Sequence, residues 1–358
     1  MSELLGGNIK RKGERVSVCF VSETGRADRP IQDPSVRYRC FHPAETLSRR
    51  GAVCAVYSAS SFYKNPSLDF DVYVFHRPNV ARAGFSRVME SLGKSGKILI
   101  AEYDDLIFGD EDVALVSSAV KNGTLTPERA IAAFSNNLEA LKFFDKVSVS
   151  TEPLAEFSSK FNPGSNVHVT PNIMPPSFIE LHERERTIHV SREKKAIGYF
   201  AGTKSHDRDF PIVADALHRV LLENKGSSLM IVGPVAVPPG IAALPNVTVA
   251  PVVNFLRLPS LMTMCSTVIA PLEMSAFNSC KSRVKFLEAA LSGCHLIATP
   301  IPDMKKIGTP RLSLAENKDD WYRMLSSFSE NFGEAEKESN FNYLIENCNV
   351  DGLSSFWE

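Results

Sequence analysis

The sequence is poor in the features that define several protein classes. No stretch of its 358 residues reaches the roughly 18 consecutive apolar residues of a membrane-spanning helix. The opening MSELLGGNIKRKGER lacks the apolar core of about 7–15 residues that marks a secretory signal. A formal net charge of −1 supplies no whole-protein field for collecting nucleic acid. The seven cysteines are odd in number and scattered, with no CxxC pair and no His/Cys spacing that suits zinc. Cys19, Cys54, Cys265 and Cys294 lie in or beside apolar runs, where free thiols behave as small hydrophobes. There is no fixed-period repeat and no low-complexity segment. These absences predict a soluble chain in a reducing compartment, the cytoplasm. Lys10, Arg11, Lys12 and Arg15 make the start basic. It reads as a solvated tail, or as a weak peripheral contact with anionic headgroups at the inner face of a membrane.

What the sequence does have is alternation. Short apolar runs bounded by turn residues alternate with helix-period segments, the pattern of parallel βαβ architecture. Strands are predicted at Val16–Ser22, Ala52–Tyr57, Val72–Phe75, Lys97–Ala101, Lys146–Ser150 and Val167–Thr170. Helices fall near Phe41–Arg50, Ala81–Gly93, Pro127–Phe144 and Pro153–Phe161. Thr126 can cap the third of these, with Pro127 in the first helical position. The strand pattern stops at the polar stretch from Pro175 to Lys195 and resumes at Ala196–Ala201, Ser228–Val232, Val247–Ala250, Thr267–Ala270 and His295–Ala298. Helices near Phe210–Glu223, Asn254–Cys265 and Lys281–Ser292 lie between these strands. The length suits two domains. The predicted division is 1–180, 181–335, and an amphipathic helical tail, 336–358. Two doubly wound lobes place the carboxyl ends of both sheets at a shared cleft, so the residues after each strand are the ones to examine.

The sharpest signal follows the strand ending at Ala270. A loop leads to Asn278-Ser279-Cys280-Lys281-Ser282-Arg283-Val284-Lys285-Phe286-Leu287-Glu288, read as a helix starting near Asn278–Lys281 with Asn278 or Ser279 as its cap. First-turn amides and the helix dipole would then favour an anion, helped by Lys281 and Ser282. At 100° per residue, Lys281, Lys285 and Glu288 share one polar stripe, suited to a phosphate at one end and a ribose diol at the other. A plain solvated Lys–Glu face is the alternative. A second phosphate-like turn is Gly202-Thr203-Lys204-Ser205-His206-Asp207, where His206 reads equally as an ordinary loop histidine.

Three segments, IGYFAGTKSHDRDF, PL…FNSCKSRVKFLEAALSG and VTPN at Val169–Asn172, resemble family 4 glycosyltransferases and related enzymes of bacterial polysaccharide synthesis. The resemblance spans most of the chain and is strongest from Ala196 to Pro300. It implies an α/β GT-B fold, with an acceptor-binding first lobe, a donor-binding second lobe, and a tail that crosses back to the first. That family carries an E-x7-E pattern. Glu288 matches its second glutamate, which by resemblance contacts the donor ribose, whereas Cys280 stands at the first. The departure shifts donor-phosphate duty to Asn278, Lys281 and Ser282, with Gly202, Thr203, Lys204, His206 and Lys285 as further donor candidates.

In the first half, Glu23-Thr24-Gly25-Arg26 follows the first strand and resembles the acceptor-facing loop of the same family. Arg37, Arg39 and Arg77 are the acceptor candidates, although Arg37 and Arg39 read equally as surface charges. His76 ends the third strand, and Asp104 and Asp105 follow the fourth. Adjacent acids at the carboxyl end of a sheet seldom serve packing, so Asp104 and Asp105 are catalytic candidates, joined by His76, which reads equally as a satisfied structural histidine. No second acidic cluster completes a magnesium site, so neither a metal nor a cofactor beyond the nucleotide sugar is expected. The expected reaction is glycosyl transfer to a hydroxyl of a glycan or lipid-linked acceptor. The rivals are a nucleotide-sugar epimerase and a non-catalytic sugar-nucleotide-binding subunit.

Overall fold

Val18, Cys19, Phe20 and Val21 are all buried, as a strand covered on both faces of a parallel sheet requires. The same holds for Val72–Phe75 and for Thr267–Ala270. The architecture comes from a computed structural model, which describes residues 15–186, 196–202, 208–327 and 334–348. Lys10, Arg11 and Lys12 lie outside the described residues.

Twelve strands form two parallel six-stranded sheets. The first holds β1 (Ser17–Ser22), β2 (Val53–Ser58), β3 (Val72–His76), β4 (Ile98–Tyr103), β5 (Lys146–Val149) and β6 (Asn166–Val169), in the order β2-β1-β3-β4-β5-β6. The second holds β7 (Ala196–Phe200), β8 (Ser228–Val232), β9 (Val247–Ala250), β10 (Thr267–Ala270), β11 (His295–Ala298) and β12 (Leu312–Leu314), in the order β12-β11-β10-β7-β8-β9. The strand order reverses between β1 and β3 in one sheet and between β7 and β10 in the other. Open α/β sheets bind ligands beyond the carboxyl ends of strands at such switch points.

Contacts divide the chain into two units, the first running to Pro176 and also including Cys280–Ser282, the second covering Ser177–Ser279 and Arg283–Cys348. In the first unit, Val36 and Leu47 pack on Val18, Phe20, Val72 and Val74. In the second, the helix Pro211–Glu223 buries Leu217 and Val220 against Ile197, Ile231 and Ile269, with Trp321 in the same cluster. Thr126 caps the helix Pro127–Leu141 as predicted, accepting from the Arg129 amide at 3.4 Å.

Four local features differ from the predicted pattern or are missing from it. The polar stretch after Pro175 is a helix over Pro176–Arg186. β12 escaped the sequence pattern because it is three residues long and follows directly on Thr309-Pro310-Arg311. Arg37 and Arg39 lie on a wide helical turn, Arg37–Phe41, that runs directly into the helix His42–Arg49. Pro43 has no amide hydrogen to direct at the preceding turn, and the His42 amide donates five residues back to Arg37. The helix carrying Glu288 begins at Val284, with Arg283 as its cap. Lys281 and Ser282 therefore precede it, and neither Asn278 nor Ser279 caps it. The shared stripe keeps Lys285 and Glu288 but loses Lys281.

Candidate functional site

In the first unit, the strand ends assemble a dense polar network. β4 extends two residues further than predicted, so Glu102 lies within it, on the face opposite Tyr103. Glu102 accepts from Arg39 Nε at 2.8 Å, from Arg39 Nη2 at 2.9 Å and from Ser148 Oγ at 2.7 Å. Arg39 Nη1 donates to the Thr170 carbonyl at 2.8 Å and to Asn172 Oδ1 at 2.9 Å. Burial alone would lower the Arg39 pKa, but the facing Glu102 carboxylate outweighs it and raises the value. Arg39 is thus a buried clamp across strand ends, and its donors are committed inside the protein. This corrects its reading as a surface charge or phosphate contact. Since Arg39 has only donors, Asn172 must turn its oxygen toward it. The Asn172 Nδ2 then donates to Ser282 Oγ at 2.7 Å, leaving the Ser282 proton available for an acceptor. Arg37 is also buried, with Nη1 donating to the Ile31 carbonyl at 3.2 Å and its guanidinium 5.5 Å from the Tyr38 ring centroid.

Asp104 stands at the centre of a second cluster. Its Oδ1 accepts from Arg77 Nε at 2.7 Å and lies 3.4 Å from His76 Nε2, while Oδ2 accepts from Ser35 Oγ. Ser35 Oγ is also 2.9 Å from His76 Nε2. Because Ser35 donates to Asp104, it accepts from His76, which assigns the proton to Nε2. Serine and aspartate therefore meet the same ring nitrogen, so no serine–histidine–acid relay through both nitrogens exists. Burial would raise the Asp104 pKa, but the Arg77 guanidinium and the His76 hydrogen bond hold it well below the usual carboxylate range. A carboxyl held that low is a weak base at neutral pH. Its chemistry here is to anchor Arg77. Arg77 has φ +53°, the left-handed region, and is the one such non-glycine residue among those described. Its amide donates to the Glu102 carbonyl at 2.8 Å, tying β3 to β4 beyond their last pair.

Asp105 is a different group. Its Oδ1 accepts from the Leu106 amide at 3.2 Å, and its Oδ2 lies 3.6 Å from Lys281 Nζ. Thr151 Oγ1 donates to the Cys280 carbonyl at 2.8 Å. Cys280–Ser282 are thus fastened to the first unit at three points. The Cys280 thiol is pushed up to about 12, mainly by burial, and is inert as a nucleophile at neutral pH.

The second unit holds Glu288, largely buried and paired with Lys285 Nζ at 2.8 Å. The start of that helix is fixed by Asp303, which accepts from the Arg283 amide at 2.8 Å and from its side chain at 2.6 and 3.1 Å. Asn278 is buried and donates from Nδ2 to the Glu273 carbonyl at 2.8 Å, holding its own loop. Gly202 is exposed, and a Cβ there would meet nothing within 4 Å. Thr203, Lys204 and His206 lie outside the described residues. The glycine that close packing requires is Gly233, after β8, where the chain passes the end of β7. It has φ +124°, and a Cβ there would stand 1.9 Å from the Ala201 carbonyl oxygen. Glu102, Ser35, Asp303 and Gly233 were missed from sequence. Gly-Pro directly after an apolar run was a signal for Gly233, and an acid two residues before Asp104 was a weak one for Glu102. Ser35 and Asp303 offered none.

Among the described residues, no group of acidic, histidine or cysteine side chains has the arrangement of a metal site, and no helix is long and apolar enough to cross a membrane.

Two doubly wound sheets with these strand orders are the GT-B fold, and comparison with solved structures agrees. Anabaena HepE in complex with UDP-glucose matches over 96% of this chain and 98% of that chain, with TM-score 0.56 and 13% identity. The UDP-forming α,α-trehalose-phosphate synthase of Burkholderia xenovorans, in complex with glucose-6-phosphate, matches over 96% and 92%, with TM-score 0.57 and 11% identity. S. aureus TarM, in complex with UDP among other ligands, matches over 80% of this chain and 54% of that chain, with TM-score 0.52 and 13% identity. No protein-family model and no curated protein matches the sequence.

Proposed function

We propose that the chain is a glycosyltransferase that moves a sugar from a nucleoside-diphosphate sugar to a hydroxyl of a glycan or lipid-linked acceptor, in bacterial polysaccharide or glycoconjugate synthesis. The observation that carries this reading is the near full-length fold match to HepE, whose structure holds UDP-glucose. UDP-sugars are accordingly the first donors to test. The resemblance to family 4 supports transfer with retention of the anomeric configuration.

In the transfer, the bond from the anomeric carbon to the diphosphate oxygen breaks. A bond from the acceptor oxygen to that carbon forms, and the acceptor hydroxyl gives up its proton. Glu288 holds the donor ribose, as its place in the family pattern implies. Lys281 and the Ser282 hydroxyl meet the charge that grows on the departing diphosphate, an electrostatic contribution that is often the largest single term in catalysis. Asn172, fixed by Arg39, turns the Ser282 proton toward that charge. Asp105 takes the acceptor proton, since both Asp104 oxygens are already held by Arg77, His76 and Ser35.

The test is acceptor-dependent release of nucleotide from a panel of UDP-sugars. Release that requires acceptor supports transfer. Conversion of the donor sugar without acceptor would establish an epimerase instead. Donor binding with no turnover under any acceptor would establish a non-catalytic binding subunit.

A further inference from the structure

A pocket of about 460 Å³ opens beyond the carboxyl ends of β1 and β3 in the first unit. That size is within the range of small-ligand sites. Glu23, Thr24 and Gly25 from the end of β1 line one side, and Arg77 and Asn79 from the end of β3 line another, with Asp33 and Arg82 also reaching it.

Seven of the ten lining residues are polar or charged, with Gly25, Ala81 and Ile107 between them, and both arginines are already paired. Arg82 Nε donates to Glu23 Oε2 at 2.9 Å, and its Nη2 donates to the other Glu23 oxygen. Arg77 Nε is committed to Asp104 at 2.7 Å. Among the described residues Asp33 accepts from uncharged donors alone, Thr24 Oγ1 at 2.8 Å and the Ser35 amide at 3.1 Å. Counting Asp104 behind Arg77, three carboxylates (Glu23, Asp33, Asp104) face two guanidiniums (Arg77, Arg82), an excess of one negative charge. What the pocket offers outward is hydrogen bonding. Among the described residues no group meets Arg77 Nη1 or Nη2, and carboxylate oxygens retain lone pairs beside them.

We propose that this pocket takes an uncharged polyhydroxylated ring, a neutral sugar residue of the acceptor, and rejects its phosphorylated counterpart. The assignment of this ligand as the acceptor rests on the glycosyltransferase reading above; the choice of neutral over anionic ligand rests on the pocket alone. Each ring hydroxyl both donates and accepts, so a diol can bridge the Arg77 edge and a neighbouring carboxylate. A phosphate monoester carries about −1.5 to −2 charge at neutral pH and would meet the uncompensated carboxylate.

The test uses ligand-observed NMR titration of the full chain with methyl hexosides and with the corresponding hexose 6-phosphates, alongside acceptor kinetics with whichever UDP-sugar supports turnover. The neutral hexosides are expected to bind at least tenfold more tightly than the phosphates. Gly25→Leu, at an exposed position with nothing within 4 Å of the added Cβ, should abolish that binding while leaving the melting temperature unchanged. Asp33→Asn should narrow the preference against phosphate. If Asp33→Asn fails to fold, Glu23→Gln carries the same expectation. Tighter or equal binding of the phosphates, or hexoside binding untouched by Gly25→Leu, overturns the proposal. Turnover confined to phosphorylated acceptors would overturn it and leave glycosyl transfer standing. Hexoside binding without any transfer would uphold the pocket and remove the glycosyltransferase reading.

Discussion

Arg77 holds a left-handed backbone at φ +53° while its Nε donates to Asp104 Oδ1 at 2.7 Å. A non-glycine residue in that region costs on the order of 1–3 kcal/mol and persists only where its surroundings over-determine it. Here they do. The amide is fixed on the Glu102 carbonyl and the side chain on a carboxylate that Ser35 and His76 hold from behind.

Asp104 is expected to shape the acid limb of stability. Its folded-state pKa lies below the usual value, so its contribution is fully present above the unfolded value near pH 4 and is lost as pH falls through the lower, folded value. Asp104→Asn should lower stability at pH 7 by about 1.5–3 kcal/mol, the range for a hydrogen bond to a charged group. Its stability should also fall less steeply below about pH 4 than the wild type. Denaturant melts between pH 2 and pH 7 make the comparison. An unchanged acid limb would mean that the Arg77 pair contributes nothing.

Asp105 should separate chemistry from stability. Asp105→Asn keeps the side-chain shape and removes the charge, so turnover should fall by about 10²-fold, the scale of general acid–base contributions. Nucleotide affinity should change little. Activity per folded molecule near the wild-type value would remove Asp105 from the reaction.

Arg39 and Glu102 are a buried ion pair with 2% and 4% side-chain exposure. Removing one partner strands a charge, and Arg39→Met should cost about 3–5 kcal/mol. The double variant Arg39→Met/Glu102→Leu should recover much of that loss in urea melts. If the single variant is as stable as the wild type, the clamp is ornamental.

Lys281→Ala should weaken UDP binding about tenfold or more, from loss of a charge-assisted contact worth roughly 1.5–3 kcal/mol. Calorimetry on the folded variant decides this. Unaltered affinity would leave the lysine with no role beyond its contact with Asp105.

Gly233→Ala tests close packing at the β7/β8 ends. The added Cβ would collide with the Ala201 carbonyl oxygen at 1.9 Å and must also adopt φ +124°. Strain and overpacking each cost about 1–3 kcal/mol, so a loss of roughly 2–6 kcal/mol is expected. A melting temperature equal to the wild type would show that the two strand ends separate freely.

The sheet cores were legible because buried parallel strands are contiguous apolar runs, as in Thr267–Ala270 and His295–Ala298, which were predicted to the residue. Ser228–Val232 and the more exposed edge strand Val247–Ala250 were also predicted to the residue, bounded by turn residues on both sides. The helix carrying Glu288 was legible in its body but not at its start. Asn278 and Ser279 have capping chemistry, yet Asp303, remote in sequence, accepts from Arg283 and sets the boundary four to five residues later.

By itself the sequence determined two runs of alternating strands and helices and the turns where ligand-facing residues collect, because apolar periodicity and turn chemistry are local. Tertiary structure alone decided what the charged residues do there. Arg39 and Arg77 look alike in the chain, each an arginine near a strand or helix boundary. One meets Glu102 from β4 and is closed off inside the protein, while the other is held by Asp104 and lines a pocket. Their partners lie 63 and 27 residues away, and the energy of a charge depends on what surrounds it in space, which no local pattern encodes.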